Sequence, residues 1–354
     1  MKKIFIKDFE VKQTVDSSFL VKYIAVMESK DGKTYLNIIL SDSTGTIEAR
    51  KWHDAEDVMQ KVHCGDVVDV IGKVNLFQNK VQLIIQDITR NDSSQIDMSE
   101  FIPSSVKSSE VMFENLLKII EGVNDKYIKE LLVNILFDSE IARRMKIWPA
   151  GKTIHHAYQG GLLEHTLKCA KVGVHLADLY NVNYDILIAG LILHDIGKIY
   201  ELTDGPVFDY TEEGKLIGHV IKSVEVFEKF VSRISDFPRG IRLHLKHIIL
   251  SHHGEYEYGS AKLPSTKEAF LVNLIDQIDS KMYALEEITK NDNTQGNWSG
   301  YVKHLDRAIF KGDIGTYMDY QSEIKPNKFT QVNNSNDPNL KYSMADKLKD
   351  IKIK

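Results

Sequence analysis

The stretch Leu191–Leu202, LILHDIGKIYEL, puts a histidine and an aspartate side by side at the end of an apolar run, with Gly197 and Lys198 behind them. The residues before it, from Tyr184 onward, form an almost wholly apolar helical segment, the kind a protein buries on every side. A buried ionised carboxylate costs several kcal/mol unless it is paired or binds a metal. Asp195 therefore needs a partner.

The partner is sought in the rest of the chain, and the histidines point to it. Eleven of the 13 lie between His155 and His304, so one region uses them. His165 lies in GGLLEHTLK, His194 and Asp195 in LHDIGK, His219 at the start of a helical pattern in LIGHVI, His252 and His253 at the end of one in LSHHGE, and Asp276 in NLIDQIDSK. Each is flanked by apolar residues, and the five segments read as five separate helices. His175, His244 and His247 read as ordinary core or capping histidines. Imidazoles with carboxylates are ligands that borderline divalent metals accept, and a carboxylate can bridge two ions.

The helices belong to a long all-α region. From Val111, apolar residues recur at three- and four-residue spacing, as in MFENLLKIIEGV and YIKELLVNILFD. Before it, residues 1–90 read as strands. Three β-branched and aromatic runs, a short helix (DAEDVMQKV) and two more strand runs follow the order of an OB-fold, with another small β-barrel or docking module as the alternative. Residues 91–110 are Ser- and Asp-rich and read as a linker. The fold class is thus β plus α: an N-terminal OB-fold barrel over 1–90, a linker over 91–110, a helical domain over 111–320 and a polar, Lys-rich, solvated tail over 321–354.

Composition limits the function classes. Hydrophobic residues make up 43% and charged residues 27%, as in ordinary soluble proteins. MKKIFIKDFE has no signal-peptide pattern, and no run of about 20 apolar residues exists to span a membrane. Two cysteines in 354 residues, without a CxxC, suit a reducing cytoplasm. The net charge of −5 weighs against a binder driven by overall electrostatics. Residues 1–90 hold 13 basic and 13 acidic side chains, so strand binding by the barrel alone should be modest.

The ordered series from His165 to Asp276 resembles the HD superfamily of metal-dependent phosphohydrolases. His165, His194, Asp195 and Asp276 match its basic motif; His219, His252 and His253 match the added ligands of two-metal members. WPAGKTIHHAYQGGLLEHTL, Trp148–Leu167, further resembles the segment that opens the HD domain of YhaM-type 3′-to-5′ exoribonucleases, which also carry an OB-type domain. That likeness covers roughly residues 1–320, and no ligand is missing. It implies two divalent metals bridged by Asp195, with manganese expected and iron, cobalt or nickel as alternatives. It also implies hydrolysis of single-stranded RNA, with single-stranded DNA as an alternative, from the 3′ end to nucleoside 5′-monophosphates. An HD nucleotidase, a cyclic-dinucleotide phosphodiesterase and a non-catalytic nucleic-acid-binding factor remain the rival readings. Oligomerisation stays open.

Around the ligands, Gly197 is expected to let the chain turn and let substrate approach. Lys198 is expected to reach a phosphate oxygen or, equally, to sit as a lysine at a helix C-terminus. His155 and His156 fall in a loop expected at the mouth of the site, with His156 a candidate for contacting the scissile phosphate or leaving group. Asp279 is expected to orient a ligand histidine. On the barrel, Tyr23, Tyr35, Trp52 and Phe77 are candidates for stacking bases, with Lys22, Lys33, Arg50 and Lys73 for the backbone, although some of the aromatics should be core.

Overall fold

A computed structural model describes residues 3–312 except 30, 78, 79, 93–95, 103, 104, 106, 153–155, 293, 295 and 304. The chain divides into two compact units, Met1–Thr294 and Gln295–Lys354. In the second, the described residues form two antiparallel bridges, Trp298 with Phe310 and Val302 with Arg307. The Lys-rich stretch expected over 321–354 lies outside the described residues, as does His155.

The first unit opens with five strands: β1 (Thr14–Glu28), β2 (Thr34–Asp42), β3 (Gly45–Lys51), β4 (Val67–Phe77) and β5 (Lys80–Arg90), with helix α1 (Ala55–Lys61) after β3. They close into a barrel in the order β1-β2-β3-β5-β4, with β3 parallel to β5 and the other pairs antiparallel. Alternating side chains point inward, so Val15, Phe19, Leu36, Ile38, Leu40 and Leu83 fill the interior. Closure needs a kink where β4 shifts register between Ile71 and Gly72. A Cβ at Gly72 would lie 2.7 Å from the Ile84 carbonyl oxygen, so only glycine lets the strands approach there.

Part of the segment read as a linker over 91–110 packs on the rest of the first unit. A 3₁₀ turn at Met98–Glu100 delivers Phe101, 3% exposed, into a small cluster with Leu20 and Val67 of the barrel and Val207 of the helical part. The hydrophobic pair Phe101-Ile102 outweighs the polar character of its surroundings.

The helices are α2 (Ser109–Glu121), α3 (Lys126–Leu136), α4 (Ser139–Ile147), α5 (Gly161–Leu179), α6 (Tyr184–Leu193), α7 (Lys198–Glu201), α8 (Glu212–Leu216), α9 (His219–Val231), α10 (Arg239–Ser251) and α11 (Lys267–Asn291). Polar N-caps start many of them: Asp125 accepts from the Tyr127 and Ile128 amides, Asn183 from Ile186, and Thr266 from Ala269. Every residue of α6 from Ile186 to Leu193 is buried, because α3, α5, α10 and α11 surround it. Among the described residues, no helix is long and apolar enough to cross a membrane.

Candidate metal centre

The central helix α6 ends in His194 and Asp195, and the other helices bring their ligands to that end. His165 comes from the second turn of α5, His219 opens α9, His252 and His253 follow α10, and Asp276 projects from α11. All seven metal candidates meet. His165, His194, Asp195 and His252 are almost completely buried.

Asp195 divides them into two sets. Its Oδ2 lies 3.5 Å from His165 Nε2 and 3.4 Å from His194 Nε2. Its Oδ1 lies 3.5 Å from His219 Nε2 and 3.6 Å from His252 Nε2. On the first side Asp276 Oδ1 reaches 3.5 Å from His165 Nε2; on the second, His253 Nε2 is 3.2 Å from His219 Nε2. The ligand atoms of His165, His194 and Asp276 lie within 4.8 Å of one another, and so do those of His219, His252 and His253.

The tautomers explain why these atoms want a cation. His194 Nδ1 is 2.9 Å from the Leu191 carbonyl and His252 Nδ1 2.8 Å from that of Ile249, so each Nδ1–H donates to its own helix end. His165 Nδ1 faces Asp279 Oδ2 at 2.8 Å and His219 Nδ1 faces Glu201 Oε1 at 2.9 Å. In the neutral rings, the proton on Nδ1 leaves a bare lone pair on Nε2. Those lone pairs converge, with His165 and His194 Nε2 atoms 3.2 Å apart. Among the described residues, Asp195 Oδ1 and His252 Nε2 are buried without a hydrogen-bond partner. Buried acceptors aimed at one another with no donor are what a divalent cation satisfies, and carbonyl- or carboxylate-held imidazoles are its usual ligands. The residues fit metal.

Electrostatics agree. Burial alone would raise the Asp195 pKa, but the Lys198 ammonium beside it holds it well below the usual carboxylate range. Burial and the neighbouring His252 push His253 down to about 4, so its ring is neutral at pH 7.

Three expectations change. Gly197 has φ −65° and makes no unusual turn; a Cβ there would meet the His219 carbonyl oxygen at 2.2 Å and the Ser223 amide at 2.5 Å. It is glycine because the start of α9 presses on it, and its amide donates to Ser223 Oγ at 2.8 Å. Lys198 does not end a helix. It opens α7, buried, with Nζ 2.6 Å from Asp195 Oδ2. His156 is not at a mouth but fully buried, with Nδ1 2.6 Å from Tyr158 Oη and Nε2 2.8 Å from Asp279 Oδ2. Its neighbours therefore make it a support for Asp279 rather than a group facing a phosphate. Asp279 Oδ2 faces His165 Nδ1; burial would raise its pKa, yet the two histidines hold it well below the usual range.

Residues the sequence reading missed complete these supports. Tyr158 donates to Glu164 at 2.8 Å, and Ser105 donates to the same carboxylate oxygen at 2.7 Å. Glu201 also accepts the His219 amide at 3.0 Å. None has a periodic signal; Glu201 looks like any glutamate ending a short helix. His244 and His247 bond Thr266 and Ser265, as ordinary structural histidines do. Cys169, one turn after His165, is buried and free, and Cys64 is exposed and free.

On the barrel, none of the four aromatic candidates enters the core. Tyr35 and Trp52 lie ring to ring at 4.8 Å, and the Arg50 guanidinium covers both Tyr35 (5.5 Å) and Phe77 (5.8 Å). Trp52 and Phe77 remain 41% and 49% exposed. Tyr23 lies apart from this group, beside Lys22 in a cleft. Lys33 and Lys73 are exposed.

Residues 162–281 match the HD domain family, and residues 21–90 match an OB-fold nucleic acid binding domain. The chain is 32% identical over 310 residues to the 3'-5' exoribonuclease YhaM of Listeria monocytogenes serotype 4b (strain CLIP80459), covering 87% of this chain and 97% of that protein. It is 33% identical over 310 residues to the YhaM of Geobacillus sp. (strain WCH70), covering 85% and 94%, and 33% identical over 291 residues to that of Oceanobacillus iheyensis, covering 80% and 91%. The chain belongs to the YhaM family. All seven candidate ligands of this YhaM-family chain fall within the span of the HD match. Tyr35, Trp52 and Phe77 fall within that of the OB-fold match.

Proposed function

We propose that the chain is a metal-dependent 3′-to-5′ exonuclease that cuts phosphodiester bonds of single-stranded RNA, and of single-stranded DNA as a second substrate, releasing nucleoside 5′-monophosphates. The observation that carries this reading is Asp195, which offers one oxygen to each of two imidazole sets in a chain of the YhaM family. Two divalent ions, manganese in our reading and iron, cobalt or nickel as alternatives, would supply Lewis acidity and a hydrolytic water of lowered pKa. His165, His194 and Asp276 would hold one and His219, His252 and His253 the other, with Asp195 shared.

The chain's own side chains do the rest. Asp279 and Glu201 fix the ring planes of His165 and His219, and the Leu191 and Ile249 carbonyls fix those of His194 and His252. Lys198 carries the one ammonium that touches the bridging carboxylate among the described residues, and a phosphate entering the centre would meet that charge. Tyr35, Trp52, Arg50 and Phe77 give the barrel a face on which bases can stack, with Lys33 and Lys73 available to phosphates. We assign strand binding to residues 1–90 and hydrolysis to 111–320, and place the enzyme in the cytoplasm, where two free thiols persist.

The test is incubation of the purified protein with end-labelled RNA and DNA oligomers, with and without Mn²⁺. A metal-dependent ladder shortening from the 3′ end is expected. Hydrolysis of mononucleotides or cyclic dinucleotides with intact oligomers would favour a nucleotidase or cyclic-dinucleotide phosphodiesterase, and binding without any hydrolysis a non-catalytic factor.

A further inference from the structure

A cleft of about 940 Å³ separates the barrel from the helical part within the first unit. One wall is β1 with the β2–β3 turn, presenting Lys22 and Tyr23. The other carries Lys152, Phe208 and, from α11, Tyr283. The two walls are held together beside the cleft by the Phe101 cluster, which joins Leu20 and Val67 to Val207.

Its chemistry is that of a strand site. Lys7, Lys22, Lys152 and Lys290 line it with one acid, Glu287; the Lys152 ammonium is paired with Asp209 Oδ1 at 2.6 Å, and the remaining cations still outnumber the acid, so its field is positive. Lys22 has no carboxylate partner among the described residues, and burial lowers its pKa with nothing to oppose the shift. An ammonium desolvated without an anion is costly, and an anion entering from solvent removes that cost. Beside these cations, among aliphatic side chains such as Ile39 and Val81, stand two accessible rings: Tyr23 is 45% exposed and Phe208 half-buried. Cations alternating with open aromatic faces suit phosphates and bases in a flexible chain, whereas an acidic peptide would leave the rings unused. Drug-sized ligands fill roughly 300–1,000 Å³, so the volume admits a short run of nucleotides.

Its position ties it to the chemistry. Tyr158 and Tyr283 belong both to the cleft wall and to the packing of His156, whose ring lies 4.3 Å from that of Tyr283. His156 in turn shares Asp279 Oδ2 with the ligand His165. An occupant of the cleft lies against the layer that orients a metal ligand.

We propose that this cleft is a second site for single-stranded nucleic acid, resting on the nuclease reading above, in which helical residues Lys152, Phe208 and Tyr283 hold the strand together with Lys22 and Tyr23 of the barrel. The stacked face at Tyr35 and Trp52 then holds a different part of the same strand.

The test is ultraviolet crosslinking of the metal-loaded protein to a hydrolysis-resistant phosphorothioate oligonucleotide carrying 4-thiouridine, with adducts mapped by mass spectrometry. Adducts on peptides holding Tyr23, Phe208 or Tyr283 are expected. In parallel, Lys22→Ala with Phe208→Ala should weaken binding of that oligonucleotide about tenfold or more, since each stacked base is worth ~1–3 kcal/mol. A wild-type protein that degrades RNA but gives no cleft adducts, with unchanged affinity in the double variant, overturns the cleft site and leaves the nuclease reading standing. A wild-type protein that neither binds nor degrades single strands overturns both.

Discussion

The Lys198 ammonium lies 2.6 Å from Asp195 Oδ2, the oxygen that also faces His165 and His194. A cation at that oxygen competes with a metal for it, yet it places positive charge where a phosphate must come. The two residues should therefore fail differently. Asp195→Ala is expected to remove all measurable turnover. Lys198→Ala should retain turnover, with kcat/KM down about tenfold or more, while half-maximal activity is reached at lower metal concentration. Metal titrations of the two variants decide this, and equal losses with unchanged metal demand would reverse the assignment.

Asp279 accepts from two buried histidines at once. Asp279→Asn keeps the shape but removes the charge that holds His165 with its Nε2 lone pair inward. Loss of such an outer partner typically costs about 10–100-fold in metal affinity. Calorimetry with Mn²⁺ should show that loss, and excess metal should restore part of the activity. An unchanged affinity would assign Asp279 to packing alone.

Metal removal should leave the fold in place. The large helical core, from Met112 to Ile275, buries its apolar surface without any ligand residue. Chelated protein is expected to keep its helical circular dichroism, lose all hydrolysis, melt at a lower temperature and regain activity with two equivalents per chain. Full activity at one equivalent contradicts the two-ion reading.

Gly197→Ala tests the close contact with α9. The added methyl would lie 2.2 Å from the His219 carbonyl oxygen, so α9 must shift. Overpacking of this kind costs about 1–3 kcal/mol. Because α9 begins with His219, activity should fall further than the melting temperature alone accounts for. An active variant of wild-type stability would show that the contact yields freely.

Trp52→Ala removes one half of the Tyr35–Trp52 pair. A lost stacking platform is worth ~1–3 kcal/mol, roughly a fivefold to hundredfold drop in affinity for a single strand. Fluorescence anisotropy with labelled RNA measures it, and affinity within twofold of wild type would move strand binding off this face.

The order of strands and helices was legible because period-two and period-3.6 patterns survive almost everywhere along the chain, and the ligand series was legible because histidines inside apolar helices are conspicuous. What escaped were groups whose meaning depends on a distant neighbour. Gly197 looks like a turn until α9 lies on it, and His156 looks like a loop residue until α11 brings Asp279 to its ring. Phe101 vanished in a polar stretch because its contacts, Leu20, Val67 and Val207, are far away in the chain. Glu201 could not be seen at all, since only the fold places it against His219.

The bridging pair of ligand sets draws on α5 at one extreme and α11 at the other. During synthesis, His165, His194 and Asp195 leave the ribosome well before Asp276. At about 5–20 residues per second, roughly 4–16 s separate His194 from Asp276. Over that interval the growing polypeptide cannot bring the full set of candidate ligands together, so the centre is complete only once α11 has been made.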